Sequence, residues 1–295
     1  MKILVRCTGF VGDHLFTSDL AKELKEYHTE VLEFGIKEVT VDYLVQVHQV
    51  MGLFENNPYI DNVYIQGVDD VDTYDKVYHI PPVDQSVPPP LYFRKACELK
   101  NKNTGYEIYT NKGYDLSAKT QMPTNGKPNV AVQANWSEKS FLYTPEQYKA
   151  GIDHPNETGY GGARRDVQKI INALSLDCNI IQVGFPAGTP NQKGQPMGGL
   201  VSAGLYSMTA SIIKACDWMI GGESGLINLA AGVGTKTIIT GDFVHQLYGP
   251  NGVIKKIENP KLGPEFYFPN SGHVSLDPYL LDEEVIEQMR KLICE

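Results

Sequence analysis

The chain has 295 residues, 42% of them hydrophobic and 21% charged, with a net charge of -9. That length suits one large domain or two of about 150 residues, and the apolar content excludes a disordered tail protein. No apolar run approaches the roughly 18–20 residues of a membrane helix, and the acidic balance excludes a generic polyanion binder, leaving room only for a local basic groove.

The first element is the β-rich run Lys2–Arg6. It passes into the glycine loop Cys7–Asp13 and then into a helix over Leu15–Tyr27, with Leu15, Phe16, Leu20 and Leu24 on one side. This is the strand, loop and helix that open a βαβ unit. Strands follow at Val39–Val45, Asn62–Ile65 and Asp75–Ile80, with a short helix at His48–Phe54 ended by Asn56-Asn57-Pro58. Five prolines between Pro81 and Pro90 mark an irregular loop, and Phe93–Leu99 reads as a helix. Ser117–Pro128, with Pro123, Asn125, Gly126 and Pro128, reads as an interdomain linker.

The alternation then restarts. Strands are expected at Asn129–Gln133, Asn179–Val183, Trp218–Ile220 and Thr235–Thr240, and helices at Arg165–Leu174, Tyr206–Cys216 and Leu226–Gly232. Thr144–Gly162 reads as a loop or a broken helix, and Glu283–Ile293 as a terminal amphipathic helix. Alternating β and α units in both halves predict an α/β protein with two parallel sheets covered by helices. The boundaries are 1–122 for the first domain, 128–278 for the second and 279–295 for the terminal helix.

The opening Met1–Arg6 enters strand-like sequence without a secretion signal. Cys7, Cys97, Cys178, Cys216 and Cys294 show no metal or disulfide spacing. The expectation is a cytoplasmic protein (host cytoplasm if phage-encoded) with reduced thiols and no metal site.

Two glycine turns carry the chemistry. In Gly9-Phe10-Val11-Gly12-Asp13, glycine allows close backbone approach at a strand-to-helix junction, where free amides favour an anion. The spacing fits neither the dinucleotide fingerprint nor the phosphate loop. Asp13 reads either as a helix cap or as a general base. In Gly221-Gly222-Glu223-Ser224-Gly225, Ser224 suits a helix cap and Gly225 leaves the backbone open to a ligand. The turn is either structural only or a diphosphate cradle.

These turns, in this order, resemble glycosyltransferase family 9, the ADP-heptose:lipopolysaccharide heptosyltransferases. Arg6, Gly12, Asp13, Thr17 and Leu20 fall in register with the family's opening strand and loop, with Asp19 in its usual proline region. Asn57-Pro58-Tyr59-Ile60-Asp61-Asn62-Val63 and Ala215–Ala231 resemble two further blocks. The resemblance implies a GT-B fold, two Rossmann-like domains facing across a cleft, and an inverting, metal-independent sugar transfer. The first domain would bind the acceptor and the second a nucleotide-sugar, with the terminal helix packing back toward the first domain.

On that resemblance Asp13 is the catalytic base. Gly12, Gly222, Glu223, Ser224, Gly225, Leu226 and Asn228 are donor-binding, with Lys139 the basic donor contact and Arg164 and Arg165 its rivals. The chain departs from the family where Asn228 replaces a histidine and Glu223 an aspartate, and in Tyr143–Gly162. These departures imply a donor other than ADP-heptose, a UDP- or other ADP-sugar, acting as co-substrate with no separate cofactor.

Three readings compete. The first is transfer to a surface glycan or lipopolysaccharide-type saccharide. The second is transfer to hydroxymethylated DNA, which would use Arg94 and Lys95 in the aromatic and basic stretch Leu91–Lys102 as acceptor contacts. Residues 1–125, with 12 basic and 18 acidic side chains, weigh against it. The third is a sugar-nucleotide binder or epimerase, for which His14, His79, His245 and His273 are available without a unifying spacing.

Overall fold

The structure is a computed structural model and describes residues 1–9, 11–31, 38–65, 73–80, 89–100, 105–133, 167–183, 206–221, 225–239, 246–248, 254–256, 273–276 and 280–294. The expected strand-and-helix alternation is present in both halves. The first sheet contains β1 (Lys2–Cys7), β2 (Thr40–Val45), β3 (Asn62–Ile65) and β4 (Lys76–Ile80), ordered β3-β2-β1-β4. All its neighbours are parallel. The second contains β5 (Asn129–Gln133), β6 (Asn179–Val183), β7 (Trp218–Gly221), β8 (Lys236–Ile239) and β11 (His273–Ser275). It is ordered β11-β8-β7-β5-β6 and is also fully parallel. A small antiparallel pair, β9 (Gln246–Tyr248) and β10 (Ile254–Lys256), stands apart. The sequence reading missed β9, β10 and β11, each of only three residues.

The expected helix Leu15–Tyr27 is two helices, α1 (Val11–Leu15) and α2 (Leu20–Val31). Thr17 breaks it. Its backbone N–H and its hydroxyl both donate to the His14 carbonyl, at 3.0 and 2.7 Å, a local bond that competes with helix continuation. Helix α3 (Met51–Phe54) follows a single 3-10 turn. Helix α4 (Pro89–Ala96) begins earlier than expected, inside the proline run. Pro89 and Pro90 open it, where a missing N–H costs nothing.

Ser117–Gln121, read as linker, belongs to helix α5 (Lys112–Gln121), so the connection to β5 is Met122–Pro128. The Asn111 side chain caps α5 by accepting from the Gly113 and Tyr114 amides at 2.9 and 3.2 Å. Helices α6 (Val167–Leu174), α7 (Tyr206–Lys214), α8 (Gly225–Gly232) and α9 (Asp282–Cys294) serve the second domain. No helix among the described residues is long and apolar enough to cross a membrane.

One apolar cluster runs from the first sheet across to the second. It joins Val5, Tyr43 and Leu24 to Ile108, Ile213, Met219 and Leu229. The segment before α5 makes the crossing. The Ile108 N–H donates to the Gly232 carbonyl at 2.8 Å, and a side chain at Gly232 would strike Ile108 and Tyr106. Helix α5 then pairs with α7 through Asp115, which accepts from the Ser211 hydroxyl at 2.6 Å and from Lys214 at 2.9 Å. Burial pushes the Asp115 carboxyl up, but these donors and Thr110 outweigh it and hold it below its ordinary value.

A second cluster covers the opposite face of the second sheet. Val285, Ile286, Met289 and Ile293 of α9 lie there with Val130, Ile170, Leu174 and Trp218. The terminal helix, expected against the first domain, is therefore seated by its apolar stripe on the second. Glu284 accepts from the Leu281 N–H at 2.7 Å, the reach-back of a capping box. All five cysteines are free. Packing brings Cys294 beside Cys178, whose thiol is pushed up to about 12 by burial and then by that neighbour.

Asp19 lies between the two halves of the broken helix. Burial pushes its carboxyl up to about 6, although the Glu107 backbone N–H and the Arg94 guanidinium pull it down. A carboxyl with a raised folded pKa binds its proton more tightly when folded, so its contribution to stability falls as pH rises from about 4 through 6. Asp19→Asn should raise unfolding stability by about 1–3 kcal/mol at pH 7.5 and lose that gain at pH 4, measured by urea titration. A gain independent of pH would contradict the assignment.

Candidate functional site

Strand β1 delivers its last residues to the carboxyl edge of the first sheet, the edge where open α/β sheets bind ligands. There Gly9 takes φ +102°, a left-handed conformation that favours glycine. The Asp13 carboxylate folds back against it, so that a Cβ on Gly9 would collide with Asp13 Oδ2. Asp13 sits within the first turn of α1, half-buried.

Gln46, just beyond β2, holds this turn from the side. Its Oε1 accepts from the Gly9 N–H at 3.1 Å, and its own N–H donates to His14 Nε2 at 3.2 Å. That bond requires Nε2 without a proton. His14 is fully buried, so the imidazole next to Asp13 in sequence supports the turn from inside and does not face the edge.

The second glycine turn approaches the first. A Cβ on Gly12 would lie 2.5 Å from Asn228 Nδ2, and one on Gly225 would lie 3.0 Å from Val11 Cγ1 and 3.6 Å from the Gly12 backbone nitrogen. The start of α8 is thus packed on α1 with almost no side-chain spacer. Tyr106 fixes the approach: its hydroxyl donates to the Asn228 carbonyl at 2.6 Å, and its ring meets Phe16 edge-on at 5.0 Å. Gly12, Asp13, Gly225 and Asn228, assigned from two motifs far apart in sequence, are brought together.

Other expected site residues fare differently. Leu226 is 9% exposed and belongs to the apolar core, so its side chain is structural. Arg94 is corrected outright. It is 1% exposed, bonds Glu23 Oε1 through Nε at 2.8 Å and through Nη2 at 2.6 Å, and donates to the Gly105 carbonyl at 3.0 Å. It is an internal brace between α2 and α4, unavailable to an acceptor. Lys95, the next residue, is exposed on the other side of α4, so the two do not act as a pair. Gly222, Glu223, Ser224, Lys139, Arg164, Arg165 and the whole stretch Tyr143–Gly162 lie outside the described residues, as does His245.

The stretch Asn57–Val63 proves structural. Asp61 accepts from the Val41 N–H at 2.6 Å and pairs with Lys25 at 2.8 Å. Asn57 is buried and donates to the Ser18 carbonyl at 2.7 Å. Gln46 and Tyr106 were missed by sequence reasoning. Gln46 carried a usable signal, since the residue following a parallel strand sits at the ligand edge. Tyr106 carried none, because its role depends on the approach of α8.

No protein-family model matches the chain, and no curated protein sequence does. Solved structures do match in fold. A glycosyl transferase of family 9 from Veillonella parvula aligns over 99% of this chain and 97% of its own at TM-score 0.64 and 12% identity. The ADP-heptose lps heptosyltransferase II of E. coli aligns over 100% and 99% at TM-score 0.61 and 13% identity. E. coli heptosyltransferase WaaC, solved with ADP-2-deoxy-2-fluoro heptose, aligns over 99% of both chains at TM-score 0.50 and 12% identity. The fold is GT-B.

Gly12→Val should wedge the two turns apart and lower the melting temperature, and adding Asn228→Ala should recover part of the loss. A double-mutant cycle reads this directly. Strictly additive effects would contradict the contact.

Proposed function

We propose that the chain is an inverting, metal-independent glycosyltransferase that moves a sugar from a UDP- or ADP-linked donor to a hydroxyl of a surface-glycan or lipopolysaccharide-type acceptor. The observation that carries this reading is the contact of Gly12 with Asn228 and of Gly225 with Val11, which brings a carboxylate and the start of a helix to one place. The GT-B likeness to heptosyltransferase structures supports it.

A sugar hydroxyl is a weak nucleophile until its proton is removed during attack. Asp13 is the base. As the acceptor oxygen bonds the anomeric carbon, its proton passes to the Asp13 carboxylate and the bond from that carbon to the diphosphate oxygen breaks. The nucleoside diphosphate leaves with the electron pair, and a single displacement inverts the anomeric centre. Developing charge on the leaving group needs preorganised donors. Amides at the start of α8 and the Asn228 side chain provide them, with Gly222, Glu223, Ser224 and Lys139 assigned to the donor on the family resemblance. Asn228 donates a hydrogen bond without bringing the charge that a protonated histidine would. The acceptor lies on the side of the first domain. Transfer to DNA is the weaker reading, because Arg94 is spent inside the protein.

Asp13→Asn should abolish transfer, followed by mass spectrometry of the acceptor, while nucleoside diphosphate affinity stays within about twofold. Equal loss of both would contradict the base assignment. Asn228→Ala should weaken nucleoside diphosphate binding by about tenfold, the effect of one hydrogen bond to a charged group. Unchanged affinity would remove Asn228 from the donor site.

A further inference from the structure

Side chains alternate along β1. Ile3, Val5 and Cys7 enter the core, while Arg6 stands on the other face of the sheet. The register sets Arg6 beside Leu44 of β2 and beside His79 of β4. With Cys7, Thr8 and Gln46 these residues line a cleft of about 170 Å³ at the carboxyl edge of the sheet. Nothing in the reaction above uses it.

Arg6 is half-buried, and among the described residues no acidic side chain pairs with it. The other two described arginines do have partners: Arg94 pairs with Glu23 and Arg290 with Asp177. Removing a guanidinium from water without a counter-charge is costly, and its planar fork matches a carboxylate or a phosphate.

Two of the remaining polar groups fit the same ligand. The Thr8 hydroxyl is not one of them, since it donates its proton to the Ile80 carbonyl at 2.7 Å. Gln46 spends its oxygen on the Gly9 N–H, so its amide NH2 is the end left for a ligand. His79 is exposed and supplies a ring N–H. The cleft therefore combines one guanidinium, one imidazole and one amide donor, with no carboxylate among its described lining residues. Gln46 also ties it to the Asp13 turn, since the same Gly9 that bonds Gln46 lies under the Asp13 carboxylate.

We propose that this cleft is the oxyanion subsite of the acceptor: it holds a carboxylate or phosphate monoester of the molecule whose hydroxyl reaches Asp13. The assignment rests on the glycosyltransferase reading for the word acceptor, and on the cleft alone for the anion. A chain with net charge -9 repels anions at long range, so recognition of an anionic acceptor must be local. Arg6, on the strand that leads into the Asp13 turn, and His79, on the neighbouring β4, provide it.

The test uses the full chain and amide NMR signals of Thr8 and Gly9. Inorganic phosphate and glucuronate are titrated separately, with glucose as the uncharged control. At least one anion should give a saturable shift, and glucose none. The tighter of the two distinguishes a phosphorylated acceptor from a uronic-acid one. Arg6→Gln should weaken the anion at least tenfold. Exposed His79→Gln, which leaves the strand core untouched, should weaken it severalfold if Arg6→Gln fails to fold. Nucleoside diphosphate binding is measured on the same samples and should be unchanged by either variant.

No saturable shift with either anion, or equal affinity in the folded variants, would overturn the subsite while leaving the transferase reading standing. Displacement of the anion by nucleoside diphosphate would overturn it in favour of a donor contact. Anion binding without any nucleoside diphosphate binding would instead remove the transferase reading, and the acceptor assignment with it.

Discussion

The close approach of α1 and α8 is the constraint on which the rest depends. Gly12 and Gly225 leave no Cβ at the crossing, so the Asn228 amide comes to rest beside the turn that carries Asp13. A methyl group at either position would have to displace a neighbour, and the two domains would meet farther apart. The apolar seam beneath the turns makes the same demand. Gly232 has no Cβ, and Ile108 and Tyr106 occupy the space one would fill. The Tyr106 hydroxyl then pins the backbone of α8 at Asn228. Packing, local geometry and the chemistry assigned to the cleft are thus one problem with one solution.

Electrostatics divide the molecule differently from what charge runs in the sequence suggest. Arg94 lies in a basic stretch yet braces α2 against α4 through Glu23. Arg6 sits in an apolar strand, yet faces a cleft and has no acidic partner among the described residues. Asp19 stands where the resembling family has a proline region, and is held half-buried beside Glu107 and Arg94. In each case the environment of the side chain is set by how its strand, helix or turn is packed against distant segments, and neighbouring letters do not reveal it.

Much of the fold was legible, because strands such as Lys2–Cys7 and Asn129–Gln133 are β-branched and apolar and are bounded by glycine, proline or polar breaks. Helix α5 was hidden. Gly113, Ser117 and Thr120 lower its intrinsic propensity, and it is held by the Asn111 cap and by Asp115 reaching Ser211 and Lys214 of α7, contacts about a hundred residues away in sequence. Strand β11 was hidden because a three-residue edge strand has no period to read. The seat of the terminal helix was misread because an amphipathic stripe declares that it is buried but not against which sheet. In the site, the two glycine turns were visible as motifs. Their contact was not, and neither were the supporting roles of Gln46 and Tyr106, which exist only once both sheets are in place.

The most direct test of the central claim is a crystal structure of the chain with a bound nucleoside diphosphate. The account predicts the diphosphate at the start of α8, within hydrogen-bond distance of the Gly225 amide and the Asn228 side chain, and facing the Asp13 carboxylate across the crossing of the two turns. A diphosphate seated elsewhere, with this crossing empty, would contradict it.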